Sequence, residues 1–253
     1  VTNMKALLES QGARVVIVHP NEDPAKIAQF DGAVFMGDNY DVDPKQYGQQ
    51  AHPKTRVETQ AYDRKPADHH LAILRANYEN AAMKRAFESH TPVLGVCGGL
   101  QRAIVVNGGA LIQHVEGQNQ TEGNDTKAPY VPVDNVIFTP GTHIAAIAGD
   151  KRNMYKPEQA KDLNEVYADT GINSVHHQAI DSSKLPKGMR VAATSQEHKT
   201  IEAVESANPN QYFLGVQWHP EFMPDNPLSQ KIAHDVVQAA AQHRAQKRAA
   251  APQ

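Results

Sequence analysis

The stretch from Pro92 to Gln101 constrains most strongly how this chain can fold, because it joins two kinds of structure within a few residues. A short apolar run, Val93 to Val96, is typical of a buried strand, and it ends at Cys97, which is followed by two glycines. The apolar spacing from Leu100 to Val106 then predicts a helix. The stretch therefore predicts a strand, a sharp turn and a helix, with a thiol at the turn.

Cys97 is the only cysteine among 253 residues, and its position at the turn allows two interpretations. A side chain at the C-terminal end of a strand has room for a substrate beside the glycines, and amides at a helix start stabilise a thiolate or an oxyanion. This is the arrangement of a nucleophile elbow. A lone free cysteine is also commonly a small buried apolar residue. This stretch alone leaves both interpretations open.

A second strand-like run, Tyr212 to Trp218, ends in His219, and Glu221 follows across a proline. A cysteine hydrolase needs an imidazole that takes the thiol proton and later protonates the leaving amine. It also needs a third group that fixes the tautomer and orientation of the imidazole. We therefore predict that Cys97, His219 and Glu221 form a catalytic triad.

The remaining pattern predicts an α/β protein with a doubly wound, mostly parallel sheet. Val15 to Val18 is a continuous apolar run of the kind buried in parallel sheets, Pro24 to Gln29 is a short helix, and Gly32 to Met36 is the next strand. We expect a single domain over residues 1–242 and a flexible tail over residues 243–253.

Several later segments also have clear patterns. Residues 71–89 and 228–242 are predicted to be helices, and residues 131–147 alternate as in an antiparallel edge region. Residues 188–193 and 200–204 are predicted to be paired strands that lead to the His219 strand.

Composition excludes several classes of protein. The net charge of −3 gives no reason to expect a nucleic acid or an anionic membrane as partner. One cysteine rules out an intrachain disulfide and cysteine-rich zinc sites. No apolar run reaches the length of about 18 residues that a membrane span needs, and no segment reads as a signal peptide. We therefore expect a cytoplasmic protein.

Four separated motifs resemble those of class I glutamine amidotransferase-like hydrolases, in the same order. The resemblance is greatest to the gamma-glutamyl-gamma-aminobutyrate hydrolase group and covers roughly residues 15–240. It implies a flavodoxin-like fold with a nucleophile elbow. The motifs are Gly-Val-Cys-Gly-Gly-Leu-Gln at 95–101, Asn-Gly-Gly-Ala-Leu at 107–111, Asn-Ser-Val-His-His-Gln-Ala at 173–179 and Gly-Val-Gln-Trp-His-Pro-Glu at 215–221.

The resemblance also implies further site residues. Backbone amides near Gly37 and at Gly98 would form the oxyanion hole, and Gln101, His177 and Gln178 would bind the substrate. Of the adjacent histidines 176 and 177, we expect His177 to face the pocket and the other to pack, because neighbouring strand residues point to opposite faces. We expect no metal and no organic cofactor.

Three positions raise questions that the sequence leaves open. Asp38 stands where the family commonly has a second glycine, and its carboxylate would oppose a nearby oxyanion unless it points away, is paired or only holds the turn. Glu202 either supports the site or is a solvated strand charge. At the N-terminus the family commonly has a strand before its first helix, whereas the pattern from Met4 to Gln11 here already predicts that helix.

We expect hydrolysis of the gamma-glutamyl amide bond of a small compound, such as gamma-glutamyl-gamma-aminobutyrate, through a cysteine thioester. Three alternatives remain: a glutaminase subunit that delivers ammonia to a synthase partner, a non-catalytic gamma-glutamyl-binding protein, and a peptidase acting on polyglutamates or polyamine conjugates. The expected partners are the small substrate and, as an open alternative, a second copy of the chain in a homodimer.

Overall fold

The structure is a computed structural model that describes residues 1–37, 40–57, 66–118, 129–149 and 170–250, with residues 66–69 described by their backbone alone. Within these ranges the α-helices are α1 Thr2–Ser10, α2 Pro66–Glu88, α3 Gly98–Val106, α4 His143–Ala148 and α5 Pro227–Ala250. The strands are β1 Ala33–Phe35, β2 Val93–Val96, β3 Leu111–Ile112, β4 Asp134–Phe138, β5 Gly171–Ile172, β6 Ala179–Ile180, β7 Met189–Ser195, β8 Ile201–Ser206 and β9 Phe213–Val216.

The main sheet has the strand order β1-β2-β9-β8-β7-β4-β5, and β3 pairs with β6 in a separate ribbon. β1, β2 and β9 are parallel, whereas β8, β7, β4 and β5 join antiparallel. The predicted pairing of the two strands before the His219 strand is confirmed as β7 and β8. β2 lies between β1 and β9 and is buried along its whole length.

Two hydrophobic cores lie on the two faces of this sheet. Along β2 the side chains alternate, so that Leu94 and Val96 pack into one core and Val93 packs into the other. The first core also receives apolar residues of α1, α4 and α5, and the second receives those of α2 and α3. Helices on both faces are the mark of a doubly wound α/β fold, as the sequence predicts.

Helix α3 lies unusually close to the sheet, and glycines make this approach possible. A Cβ atom added to Gly99 would lie 2.0 Å from the carbonyl oxygen of Phe35 in β1. One added to Gly215 in β9 would lie 2.4 Å from Cδ1 of Leu100. Side chains at these positions would push the nucleophile helix away from the strands, and so the glycines fix the position of its N-terminus.

One predicted strand is wrong. Val15 to Val18 has no regular secondary structure and is not part of the sheet, and Val16 and Ile17 are 52% and 47% exposed. Its outer residues, Val15 and Val18, pack against the two cores through their side chains. An apolar run forms a strand only where a neighbouring backbone completes the ladder, and the run itself does not determine that neighbour.

Three boundaries also differ from expectation. Helix α2 begins at Pro66 rather than at residue 71, and the end of the predicted edge segment is helix α4. Helix α5 continues past Gln242 to Ala250, where the sequence predicts a flexible tail. There Lys247 Nζ donates to the carbonyl groups of Ala28, Gln29 and Phe30. Among the described helices, none is long and apolar enough to cross a membrane.

Candidate active site

Cys97 lies at a strained turn between β2 and α3. Its φ of 52° and ψ of −111° place it in a region that residues other than glycine rarely adopt. The backbone N–H donates to the carbonyl of Val216 at 2.8 Å, and its own carbonyl accepts from the N–H of Gln101 at 3.1 Å. This is the backbone form of a nucleophile elbow, as predicted from the sequence.

The parallel pairing of β2 with β9 brings His219 to the same edge of the sheet as Cys97. Val96 and Val216 are partners in the register, so both chains leave the sheet at the carboxyl ends of neighbouring strands. A short 3-10 turn, Pro220–Phe222, follows His219. It brings Oε1 of the buried Glu221 to 2.8 Å from Nδ1 of His219. Since a carboxylate only accepts, Nδ1 donates the proton.

The electrostatic surroundings favour the protonated form of His219. Burial acts to lower its pKa, but the charge and hydrogen bond of Cys97, together with those of Glu221, outweigh burial and raise the pKa to about 10. The raised pKa favours the imidazolium form of His219 beside Cys97. Such a group stabilises a thiolate and has a proton available for a leaving amine.

The backbone of His219 is held by a carboxamide that belongs to one of the sequence motifs but was given no predicted role. Asn173 Oδ1 accepts from the N–H of His219 at 2.8 Å, and Asn173 Nδ2 donates to the carbonyl of His219 at 3.0 Å. Asn173 is completely buried. The imidazole is thus positioned from both sides, through its ring by Glu221 and through its backbone by Asn173.

A buried amide network reaches the sulfur of Cys97. Gln217 Nε2 donates to Cys97 Sγ at 3.6 Å, and Gln217 Oε1 accepts from Gln101 Nε2 at 3.3 Å. Gln101 Nε2 also donates to the carbonyl of Gln178 at 3.3 Å. The amide nitrogen of Gln101, a predicted substrate-binding residue, is therefore fixed inside the protein, with Gln217 between it and the thiol.

Gly37 lies directly at this centre. A Cβ atom added to it would lie 3.2 Å from Cys97 Cβ, 3.4 Å from the backbone nitrogen of Gly98 and 3.4 Å from His219 Cε1. The structure thus brings together the two glycines whose amides are predicted to form an oxyanion hole. Asp38, which follows Gly37, lies outside the described residues.

Several buried polar atoms in and near this region, Oε2 of Glu221 among them, lack a hydrogen-bonding partner within the described part of the chain, and three of them matter for ligand binding. These three are the hydroxyl of Tyr47 and the two side-chain polar atoms of Gln178. The side chain of Gln178 lies close enough to the phenol of Tyr47 to lower its pKa, but this effect is outweighed. Burial, followed by the charges of Asp41 and Asp43, raises the pKa of Tyr47 well above its ordinary value. Such atoms are those that a polar ligand or water would satisfy.

His177 contacts other loops of this region. Its Nε2 lies 3.1 Å from Oδ2 of Asp41, which follows β1, and its Nδ1 lies 3.3 Å from Nδ1 of His114. Its carbonyl accepts from the N–H of Val115 at 2.7 Å. The structure therefore connects this predicted substrate-binding residue to the loop after β1.

His176 points instead into the interior, toward Glu202. His176 Nδ1 donates to the carbonyl of Gln178 at 2.9 Å, and its Nε2 lies 3.9 Å from Glu202 Oε2. Burial lowers the pKa of His176 to about 3 and raises the pKa of Glu202 to about 8, so both groups are neutral at pH 7. Glu202 is only 1% exposed, which excludes a solvated strand charge.

Among the described residues, one group of side chains is spaced for a metal ion, namely Asp134, Glu197 and His198. The Asp134 carboxylate already accepts from the hydroxyl of Ser195 and from the backbone N–H groups of Asn135 and Glu197. These bonds hold a turn between strands, and we assign no metal function to the group.

Gln217 was not among the predicted site residues, although the pattern contained a signal for it. Gln217 and His219 are separated by one residue after a strand, so in an extended chain their side chains point the same way. No such signal was available for Tyr47, which lies in the short helix Pro44–Tyr47 after β1.

Comparison with known proteins gives consistent relatives at low identity. The chain is 24% identical to a protein of Rickettsia prowazekii described as glutamine amidotransferase-like, over 92% of this chain and 86% of that one. It is 25% identical to the gamma-glutamyl-gamma-aminobutyrate hydrolase of Escherichia coli K12, over 95% of this chain and 85% of the relative. The crystal structure of a protein from Thermoplasma acidophilum, described as part of a GMP synthase, superposes with a TM-score of 0.60 at 14% identity. That alignment covers 97% of this chain and 90% of the other, and shows that the two chains share their fold.

The sequence profile of one family extends over most of the chain. It matches residues 2–221, a range that contains the cysteine elbow, the clamped histidine and the glutamate described above. The chain therefore belongs to the peptidase C26 family.

Proposed function

We propose that this protein hydrolyses the gamma-glutamyl amide bond of a small gamma-glutamyl compound, such as gamma-glutamyl-gamma-aminobutyrate, with Cys97 as nucleophile. Membership of the peptidase C26 family supports amide hydrolysis or glutamine amidotransferase chemistry in general. The observation that carries the narrower proposal is the buried imidazole of His219, which Glu221 holds at 2.8 Å and whose pKa is raised to about 10 beside Cys97.

In the proposed first step the thiolate of Cys97 attacks the gamma-carbonyl carbon, and the carbonyl oxygen becomes an oxyanion. The amides of Gly37 and Gly98 receive this oxyanion, because both lie beside the sulfur-bearing residue. As the tetrahedral intermediate collapses, the C–N bond breaks and the imidazolium of His219 protonates the amine. The amine leaves, and a glutamyl thioester remains on Cys97.

In the second step water attacks the thioester. His219, now neutral, takes a proton from the water, and the hydroxide adds to the carbonyl carbon. Collapse of this second intermediate breaks the C–S bond and releases glutamate. The thiolate and imidazolium pair is restored, and Gln217 stabilises the thiolate through its N–H at 3.6 Å.

The unpartnered atoms of Tyr47 and Gln178 support a polar ligand in this site. The alpha-amino and alpha-carboxylate groups of a glutamyl substrate supply both donors and acceptors, which a hydroxyl and a carboxamide can bind. The hydrolase and a glutaminase share this glutamyl group and differ in the amine that leaves, which is ammonia for the glutaminase.

Mass spectrometry of the intact protein after exposure to 6-diazo-5-oxo-norleucine tests the proposal. We expect one adduct on Cys97, prevented by gamma-glutamyl amides and absent from Cys97→Ala. Product analysis with gamma-glutamyl-gamma-aminobutyrate and with glutamine then separates the hydrolase from a glutaminase. If the folded wild-type protein binds glutamate but forms no adduct, it is a non-catalytic binding protein and the proposal is wrong.

A further inference from the structure

A chain of charged side chains connects helix α2 to the segment that leaves β1. Arg75 Nη2 donates to the carbonyl of Met36 at 3.2 Å and to the carbonyl of Gly37 at 3.0 Å. Both carbonyls belong to the backbone that passes beside Cys97. One guanidinium nitrogen therefore holds two successive peptide units at the edge of the site.

Glu79 holds this guanidinium in place. Arg75 Nε lies 2.7 Å from Glu79 Oε1, one helical turn away, and Glu79 Oε2 lies 3.1 Å from Nε of Arg102. Arg102 is on helix α3, four residues after Gly98, and its side chain is only 4% exposed. A buried guanidinium requires a paired carboxylate. Glu79 is thus fixed from the α3 side and in turn fixes Arg75.

The contacts of Arg75 with the backbone carbonyls also determine the direction of a backbone N–H group. The C=O and N–H groups of a trans peptide point in opposite directions. When Arg75 fixes the carbonyl of Met36, it also fixes the direction of the N–H of Gly37, which belongs to the same peptide unit. Glu79 connects this unit to the helix whose first turn carries the N–H of Gly98.

We propose that Arg75 is a positioning residue, which holds the Gly37 peptide in the orientation that receives the oxyanion and is itself held, through Glu79, by the nucleophile helix. This inference rests on the proposed function. In this role Arg75 acts through the backbone of Met36 and Gly37.

The variant Arg75→Met tests this role with little risk to the fold. Arg75 is 30% exposed, and its removal leaves Glu79 paired with Arg102. We expect kcat to fall about 10- to 100-fold, because misplacing an oxyanion donor slightly costs less than deleting it, which typically lowers kcat by about 10²- to 10³-fold. KM should change by less than about threefold, since the ground-state contacts remain. Arg75→Lys should recover only part of kcat, because one ammonium cannot replace the planar fork.

Arg85→Met is the matched control, since Arg85 lies on the same helix, is 48% exposed and, within the described residues, forms one surface ion pair, with Glu88 at 3.7 Å. Its kcat should equal that of the wild type. The fraction of Cys97 that reacts with 6-diazo-5-oxo-norleucine should be the same in all variants. If kcat per reactive site is unchanged in Arg75→Met, Arg75 has a structural role at most and the inference is wrong.

Hydrogen–deuterium exchange supplies a readout that needs no turnover. In Arg75→Met the amides of residues 33–37 should exchange at least about tenfold faster than in the wild type, while Arg85→Met leaves them unchanged. Equal exchange in Arg75→Met and the wild type would overturn the inference. A wild type that neither turns over nor reacts with the label would refute the proposed function, and faster exchange in Arg75→Met would still support the backbone clamp.

Discussion

Replacing Gly37 with alanine adds a methyl group at the point where the proposed oxyanion lies. The added carbon would be 3.2 Å from Cys97 Cβ and 3.4 Å from both the nitrogen of Gly98 and Cε1 of His219. These three atoms belong to the nucleophile, the second amide donor and the acid–base residue. The methyl group would therefore occupy the space between all three.

The fold should tolerate this change. The backbone at Gly37 does not require the left-handed region, and contacts of 3.2 to 3.4 Å are relieved by shifts of a few tenths of an ångström. The loss of freedom in the unfolded chain favours alanine by about 0.4–1 kcal/mol. We expect the free energy of unfolding to change by no more than about 1 kcal/mol. The kcat should fall about 10²- to 10³-fold, as when one oxyanion donor is removed.

The assay combines kcat and KM for gamma-glutamyl-gamma-aminobutyrate with urea unfolding of the same samples. Gly188→Ala is the control, because it has a φ of 85° and no atom within 4 Å of an added Cβ. This control should lose about 1–2 kcal/mol of stability and keep its kcat. Wild-type kcat in Gly37→Ala would refute the placement of the oxyanion. If Gly37→Ala loses activity because it unfolds, the claim that the fold accommodates the methyl group is wrong.

Three further changes have expected outcomes. Glu221→Gln removes the carboxylate charge beside His219, so the pKa of His219 should fall below about 10 and kcat should fall about 10- to 100-fold. The pH profiles of Cys97 alkylation and of kcat measure these two effects, and unchanged profiles would contradict the role of Glu221. Gln217→Met keeps the side-chain length but removes the hydrogen-bond donor to the sulfur of Cys97. Alkylation of Cys97 should slow about tenfold, since a hydrogen bond to a charged group contributes about 1.5–3 kcal/mol. An alkylation rate equal to that of the wild type would exclude stabilisation of the thiolate by Gln217. Burial raises the pKa of Glu202 from 4.5 to about 8 in the folded state, so its contribution to stability is full below about pH 4.5 and is lost as pH rises through 8. Between pH 5 and pH 9 the free energy of unfolding in urea should therefore fall less for Glu202→Gln than for the wild type. Equal falls in the two proteins would show that Glu202 is not protonated in the folded state.

Local pattern was sufficient for the part of the site that two neighbouring strands form. Val93 to Val96 and the two glycines after Cys97 predicted the elbow, and His219 needed only a parallel partner strand to reach it. Motifs in the sequence also pointed to Gly37 and Gly98, which the structure brings together. These predictions depended on short stretches whose spacing determines geometry.

Contacts between distant segments could not be predicted in this way. Asn173 reaches the backbone of His219 across 46 residues, and Arg75 reaches Gly37 across 38. A single carboxamide or guanidinium produces no repeating pattern in the sequence. Its partner here is a backbone group, which every residue has, so the sequence does not indicate which residue it contacts. The same limit explains the error at Val15 to Val18, where apolar character was visible but the missing neighbour was not.

The central claim is that amide cleavage passes through a thioester on Cys97, and trapping that intermediate tests it most directly. The protein would be mixed with gamma-glutamyl-gamma-aminobutyrate, quenched in acid during turnover and analysed by mass spectrometry of the intact chain and its peptides. We predict a single added glutamyl group on Cys97 that forms and decays at rates consistent with kcat and is absent from Cys97→Ala. Release of glutamate by Cys97→Ala at the wild-type rate, with no glutamyl group on either protein, would contradict the account.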